Sequence, residues 1–133
     1  MFMGEKLTDF VFDGEELQVD YVETQTVKDG VECDLYCFSG GTEKDLAIVR
    51  VKAGFSTPLQ RILKDEKTIE GHVAGNAGLA VVQPDGSKTQ YDYDDEGSTE
   101  AVIVTFGCLI QWTAKTDLTF YEVCYPPYED GRF

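Results

Sequence analysis

The feature that most constrains this chain is an alternation of apolar and polar residues that recurs from one end to the other. Alternation places every second side chain on the same face, as in a half-buried β-strand, and no segment carries a convincing apolar stripe with helical spacing. Short alternating segments separated by turns are typical of an all-β sandwich or barrel. The predicted strands are Phe10–Phe12, Leu17–Val22, Cys33–Phe38, Leu46–Lys52, Gln60–Leu63, Thr68–Ala74, Leu79–Gln83, Thr89–Tyr93, Ala101–Phe106, Leu109–Ala114 and Leu118–Tyr125.

The clearest turn is Pro84-Asp85-Gly86, which lies between two alternating segments. Proline restricts φ, aspartate caps nearby backbone groups and glycine tolerates positive φ, so this tripeptide predicts a hairpin. No Ser- or Pro-rich linker divides the chain. Its 133 residues are enough to bury a hydrophobic core as one domain.

The formal charge of −14, from 25 acidic and 11 basic residues, would repel phosphate backbones and anionic membrane surfaces. We therefore expect neither nucleic acid nor a membrane as a partner. The N-terminal residues lack the pattern of a secretory signal, and no apolar run approaches the ~20 residues that span a bilayer. The chain is predicted to be soluble and cytoplasmic, with Cys33, Cys37, Cys108 and Cys124 reduced and packed in the core.

The segment from Gly54 to Gly75 has the spacing of a metal-binding motif, although the chain contains a single histidine, His72. This segment resembles the first motif of the cupin superfamily, which runs glycine, five residues, H-x-H, a short gap, glutamate, six residues and glycine. Residues 60–62 (Gln-Arg-Ile) stand at the H-x-H place, and Thr68 stands at the glutamate place. The gap between these two places is slightly longer than the family usually shows.

Residues 105–114 resemble the second cupin motif, P-x-G-x2-H-x3-N. Gly107 matches the glycine, whereas Thr105 replaces the proline, Ile110 the histidine and Ala114 the asparagine. The order of the two motifs, with a hairpin between them, also agrees with the family.

The resemblance implies a small RmlC-like jelly roll, a double-stranded β-helix whose lumen holds a pocket. Residues 1–133 would form one such cupin-like domain. Its N-terminal strands would occupy residues 1–40, its barrel core residues 41–128 and its C-terminal tail residues 129–133. Small cupins of this kind often form homodimers, and we expect a homodimer here.

The four metal-ligand places of the cupin motifs are degenerate in this chain. Cupin enzymes hold a metal ion with three histidines and one glutamate, and the corresponding residues here are Gln60, Ile62, Thr68 and Ile110. The two isoleucines have no electron pair to donate, and the amide and hydroxyl are weak neutral donors. The sequence therefore predicts neither the inherited metal nor another cofactor.

Glu70 and His72 are the remaining candidates for pocket chemistry. The period of two puts both on the same face of their strand as Thr68, and this face would be inward if Thr68 lies at a ligand place. Four interpretations stay open: a structural pair that satisfies itself, a polar patch that hydrogen-bonds a small organic ligand, an acid–base pair with His72 as the base, and a rebuilt metal site.

The leading hypothesis is a metal-independent, cupin-like protein that binds a small molecule in its lumen. The alternative is a cupin enzyme, resembling an isomerase, an epimerase or a dioxygenase, that uses Glu70 and His72 for acid–base work or for metal binding. The sequence leaves open whether catalysis occurs. The predicted pocket lining consists of Gln60, Ile62, Thr68, Glu70, His72, Ile110, Trp112 and Tyr121.

Overall fold

The computed structural model describes residues 6–12, 14–40, 43–63, 66–94 and 101–126, and their regular structure consists of β-strands. This part of the chain contains no helix long and apolar enough to cross a membrane. The strands, in chain order, are β1 (Asp9–Phe12), β2 (Glu15–Lys28), β3 (Val31–Phe38), β4 (Asp45–Val51), β5 (Gln60–Arg61), β6 (Lys67–Ala74), β7 (Ala77–Val82), β8 (Lys88–Tyr93), β9 (Val102–Val104), β10 (Leu109–Ala114) and β11 (Leu118–Tyr125).

The all-β prediction is confirmed, and each predicted strand has a counterpart in the structure. The largest difference concerns β2, which continues to Lys28 instead of ending at Val22. Its second half is mostly polar, so it lacked the apolar alternation on which the prediction rested. The pairing of β2 with β3 also shifts register between Tyr21 and Glu23, which interrupts the period of two.

The strands form two antiparallel sheets. The larger sheet has the strand order β1-β2-β3-β4-β11-β6-β9, and the smaller has the order β5-β10-β7-β8. A continuous cluster of buried side chains joins the inner faces of the two sheets, with Val49 and Phe120 from the larger and Leu79 and Trp112 from the smaller. This arrangement is a jelly-roll barrel, as the sequence predicted.

A second apolar cluster covers the outer face of the larger sheet. It contains Tyr36, Leu46 and Val123 from the middle of the sheet, and Phe10 from the N-terminal edge strand packs against it. The Phe10 ring meets the ring of Tyr121 edge-on, with centroids 5.0 Å apart. The N-terminal segment therefore encloses a second core on the outside of the barrel.

Two glycines of the cupin-like motifs adopt backbone conformations that other residues rarely reach. Gly75, which ends the first motif, has φ 97°, and a Cβ there would overlap the backbone of Asp117. Gly107, in the second motif, has φ 86°, and its amide donates to the carbonyl oxygen of Ile62 at 2.9 Å. The motif glycines thus serve the turns that bring the barrel strands together.

Candidate functional site

A cavity of about 240 Å³ lies inside the barrel, between the inner faces of the two sheets. Its wall combines aliphatic and aromatic side chains with carboxyl, amide, hydroxyl and thiol groups. The lining residues are Gln25, Thr26, Val27, Val31, Cys33, Leu35, Asp45, Ala47, Val49, Thr57, Pro58, Gln60, Glu70, Ile110, Trp112, Phe120, Glu122 and Cys124.

Gln60 brings an amide into this cavity from the short strand β5. It pairs in register with Ile110 of β10, so the two cupin-like motifs meet directly at the cavity wall. The side chain of Gln60 is 3% exposed, and its Nε2 has no hydrogen-bond partner among the described residues. Buried polar groups are normally satisfied, so this donor is available to a ligand.

Glu70 is the most deeply buried carboxyl group of the described chain. It belongs to β6 and is fully enclosed. Trp112 Nε1 donates a hydrogen bond to Glu70 Oε1 at 2.9 Å, whereas Oε2 has no partner among the described residues. Glu70 is therefore fixed at one oxygen and open at the other.

A second carboxyl group, Glu122, stands directly across from Glu70 in the pairing of β11 with β6. Burial raises the pKa of Glu70 well above its usual range, and the charge of Glu122 adds to this rise. The neutral form of Glu70 is therefore favoured, and this form can donate a proton from the oxygen that Trp112 leaves free. The two carboxyl groups thus lie side by side in the barrel.

Two thiols flank this carboxyl pair. Cys124 Sγ donates a hydrogen bond to Glu122 Oε1 at 3.1 Å. Burial, followed by the charges of Glu122 and Asp34, raises the pKa of Cys33 to about 11. Cys33 is therefore a neutral thiol at physiological pH and a poor nucleophile. Unlike the other three cysteines, Cys37 is exposed, so its prediction as a core residue is wrong.

His72 lies on the inner face of β6, as its parity predicted, but it does not line the cavity. It pairs with Phe120, and its ring stacks on Tyr93 with centroids 5.0 Å apart. Its Nε2 is 2.6 Å from the carbonyl oxygen of Gly75. The acid–base partner expected for Glu70 is thus placed towards the end of the barrel, and Glu122 occupies the position beside Glu70 instead.

Tyr121 also lies elsewhere than predicted. It faces the outer side of the larger sheet, where its ring packs against Phe10, because odd-numbered residues of β11 face away from the cavity. Ile62 and Thr68 are fully buried, yet neither contributes to the cavity wall. Of the predicted lining residues, the structure brings Gln60, Glu70, Ile110 and Trp112 together.

The prediction missed the inward residues of β11, Phe120, Glu122 and Cys124, and the wall residues from β2, β3, β4 and the segment before β5. One signal was present in the sequence: Glu122 is the single charged residue in the alternating segment Leu118–Tyr125. A charge within a buried strand marks a functional position more often than an aromatic residue does.

The residues at the four metal-ligand places do not fit the metal that the cupin resemblance implies. Ile62 and Ile110 offer no donor atom, and Thr68 does not reach the cavity wall. The described residues also contain no group of three or more His, Cys, Asp and Glu side chains arranged to hold a metal ion.

No protein-family model matches the sequence, and no curated protein matches it significantly. Solved structures do resemble the fold. CapF, a capsular polysaccharide assembling protein from Staphylococcus aureus, superposes with a TM-score of 0.66 at 11% identity, over 87% of this chain and 32% of CapF. KdgF from Halomonas superposes with a TM-score of 0.62 at 14% identity, over 82% of this chain and 90% of KdgF.

A variant of oxalate decarboxylase from Bacillus subtilis superposes with a TM-score of 0.62 at 18% identity, over 75% of this chain and 27% of the enzyme. The chain thus spans about a third of CapF and about a quarter of oxalate decarboxylase. All three proteins have the cupin fold, which is the jelly-roll barrel described above. At these identities the likeness concerns the fold alone.

Proposed function

The chain has the cupin fold, and we propose that it binds a small polar organic molecule in the barrel cavity without the help of a metal ion. Three buried side-chain atoms, Gln60 Nε2, Glu70 Oε2 and Thr68 Oγ1, have no partner among the described residues, and the first two carry this proposal. Both belong to side chains of the same cavity wall.

The free-energy cost of these atoms supports a ligand. A buried polar group without a hydrogen bond costs about 1–3 kcal/mol. A chain that needed only stability would replace Gln60 and Glu70 with apolar residues of similar size. A ligand that bonds to both groups offsets their cost and explains their presence.

The size of the cavity limits the ligand. Pockets for drug-sized molecules measure ~300–1,000 Å³, and this cavity of about 240 Å³ falls just below that range. Trp112 and Phe120 provide apolar contact area, and Gln60 and Glu70 provide directional anchors. The arrangement suits a metabolite smaller than a nucleotide.

Filling the cavity tests the proposal. Ala47 lines the cavity from β4, so an Ala47→Leu variant should fold and yet lose the thermal shift that a bound metabolite produces. Ala74→Leu is the matched control, because Ala74 is exposed on β6. A metabolite library screened by differential scanning fluorimetry gives the ligands. The proposal fails if no compound binds, or if both variants bind the hits as tightly as the wild type.

Metal independence has its own test. Elemental analysis of protein purified without a metal-affinity column should find far less than one transition-metal ion per chain. One bound ion per chain, retained after dialysis against a chelator, would contradict this part of the proposal.

A second candidate function is acid–base catalysis, such as an isomerisation, by the Glu70–Glu122 pair. The specific observation is their direct cross-strand pairing inside the cavity, where burial favours the neutral form of Glu70. A neutral acid can donate a proton while its neighbour accepts one. This candidate replaces the pairing of Glu70 with His72, because His72 does not line the cavity.

Chemical change of the ligand separates the two candidates. A library hit incubated with the protein should be recovered unchanged by nuclear magnetic resonance if the protein only binds it. A new product, formed by the wild type and abolished by Glu70→Gln, would establish the enzyme instead. His72→Gln should leave such turnover intact.

A further inference from the structure

The charge of the cavity wall narrows the ligand class, an inference that rests on the proposed binding function. We propose that the ligand is a small organic cation that also carries a hydrogen-bond acceptor, as an amino alcohol does. Its positive centre would lie against Glu122 and its acceptor against the amide of Gln60.

The charged groups of the cavity wall are all acidic. Asp45, Glu70 and Glu122 line it, and no lysine, arginine or histidine is found among its described lining residues. Arg50 follows the lining residue Val49 on β4, but its guanidinium binds Glu32 and Asp34. A cationic ligand would therefore supply the positive charge that the described lining residues do not.

A positive charge in the cavity would compensate the buried carboxyl group of Glu122. Glu122 is 8% exposed, and the neighbouring groups that reach it, the thiol of Cys124 and the carboxyl of Glu70, carry no positive charge. A thiol is a weak donor and carries no charge. A buried carboxylate without a cationic partner is strongly disfavoured, so a cation in the cavity would compensate Glu122 where the protein does not.

The aromatic wall favours the same class of ligand. Trp112 stacks on Phe120 with ring centroids 4.5 Å apart, and Tyr93 covers the opposite side of Trp112 at 5.3 Å. Phe120 ends this stack and lines the cavity next to Glu122 along the inward face of β11. The face of an aromatic ring attracts a cation, and most strongly where water is excluded.

The amide of Gln60 sets a second requirement for the ligand, a hydrogen-bond acceptor. Its Nε2 is a donor without a partner among the described residues, so the ligand should present a hydroxyl or carbonyl oxygen to it. An anion would meet the carboxylate of Glu122, and a neutral polyol would leave that charge uncompensated. A cation with one acceptor would meet both the carboxyl group of Glu122 and the unpartnered amide of Gln60.

An isosteric pair of probes tests the inference by isothermal titration calorimetry. Choline and 3,3-dimethyl-1-butanol share their shape and hydroxyl group, but only choline is charged, and 3,3-dimethylbutyrate is an anion of similar size. The primary ammonium 3-amino-1-propanol tests a smaller cation. We expect at least one cation to bind tenfold or more tightly than the neutral alcohol, and the anion to bind least.

Two variants locate the charge. Glu122→Gln should remove most of the cation preference, because it removes the carboxyl group against which the positive centre is proposed to lie. Glu16→Gln is the control, because it removes one negative charge from the exposed strand β2 and should leave the preference unchanged.

The result on the wild type decides the inference even if a variant fails to fold. If the neutral alcohol or the anion binds the cavity as tightly as both cations, the ligand class is wrong, while small-molecule binding stands. If no probe binds and the metabolite screen also yields nothing, the proposed function itself fails.

Discussion

The two faces of β11 meet opposite environments. Its outward residues, including Tyr121 and Val123, pack in the apolar cluster closed by the N-terminal strands. Its inward residues, Phe120, Glu122 and Cys124, line a cavity that contains carboxyl and amide groups. One strand of eight residues thus separates a filled core from an open one.

The two faces differ in how completely their buried groups are packed and hydrogen-bonded. The outer cluster is packed closely enough that a Cβ on Gly71 would overlap the Tyr121 ring. The cavity keeps buried groups without partners, such as Gln60 Nε2. Packing alone accounts for the outer face, whereas the inner face keeps buried polar groups that packing does not satisfy.

The largest expected effect is on the outer face. Leu46 is fully buried in the outer cluster, so Leu46→Ala should lower the free energy of unfolding by about 2–5 kcal/mol, because it leaves a void in a packed core. Urea denaturation measures the change. Val22→Ala, at a 57% exposed position, should change it by less than about 0.5 kcal/mol. A small effect of Leu46→Ala would mean that the outer cluster is not a second core.

The pH dependence of stability should come from the inner face. Because the folded-state pKa of Glu70 is raised, the unfolded chain releases its proton first as pH increases from about the usual value of 4.5. Stability is then fully present below that pH and is lost as pH rises through the folded-state pKa, by up to about 1.4 kcal/mol per pH unit. Glu70→Gln should flatten this slope in urea denaturation from pH 4 to pH 8.

The groups that face Glu70 are Glu122, Trp112 and Thr68, and they contribute no cation that would reverse this trend. Asp34, on the outer side, contributes a pH dependence of stability with the opposite sign. Arg50, Thr24 and Lys6 outweigh burial and lower the pKa of Asp34 to about 2, so its contribution is lost as pH falls from the usual 3.8 towards 2. A slope that persists in Glu70→Gln above pH 5 would contradict the assignment to Glu70.

A smaller effect, of opposite sign, is expected at Gln60. Gln60→Leu removes a buried donor without a partner at little change in volume, so it should stabilise the protein by about 1 kcal/mol or more. The same variant should weaken ligand binding at least tenfold. Urea denaturation and calorimetry test the two halves separately. A destabilised variant would indicate that Gln60 is satisfied in the free protein.

The smallest effect is expected at His72. His72→Ala removes the contact with the Gly75 carbonyl and the stacking on Tyr93, and should cost about 1 kcal/mol. Ligand affinity should change less than twofold, because the residue does not line the cavity. Loss of binding in a folded His72→Ala variant would show that His72 takes part in ligand binding.

Much of the barrel was predictable because alternation is a local property. The turn at Pro84-Asp85-Gly86 forms as expected, with Asp85 Oδ1 accepting from the Ser87 amide at 2.9 Å. Trp112 was assigned to the pocket from its parity with Ile110, and both line the cavity. The second half of β2 was missed because its polar residues do not alternate with apolar ones.

The candidate site was only partly predictable. Glu70 was found because it shares a strand face with a degenerate ligand place. Glu122 was not, because the residue beside Glu70 depends on the register between β6 and β11, and a shift of one residue would have placed Tyr121 there. Arg50 and Asp34 pair on the outer side for the same reason.

The sequence by itself determined the local elements: short alternating strands, turns at Pro and Gly, and the absence of histidines from the cupin ligand places. The tertiary structure decided which face of each strand packs in a filled core and which lines the cavity. It put Glu122 beside Glu70, moved His72 away from the cavity and turned Tyr121 outward. The reason is physical: alternation specifies two faces for every strand, but only the pairing and packing of distant strands decide which face meets the lumen.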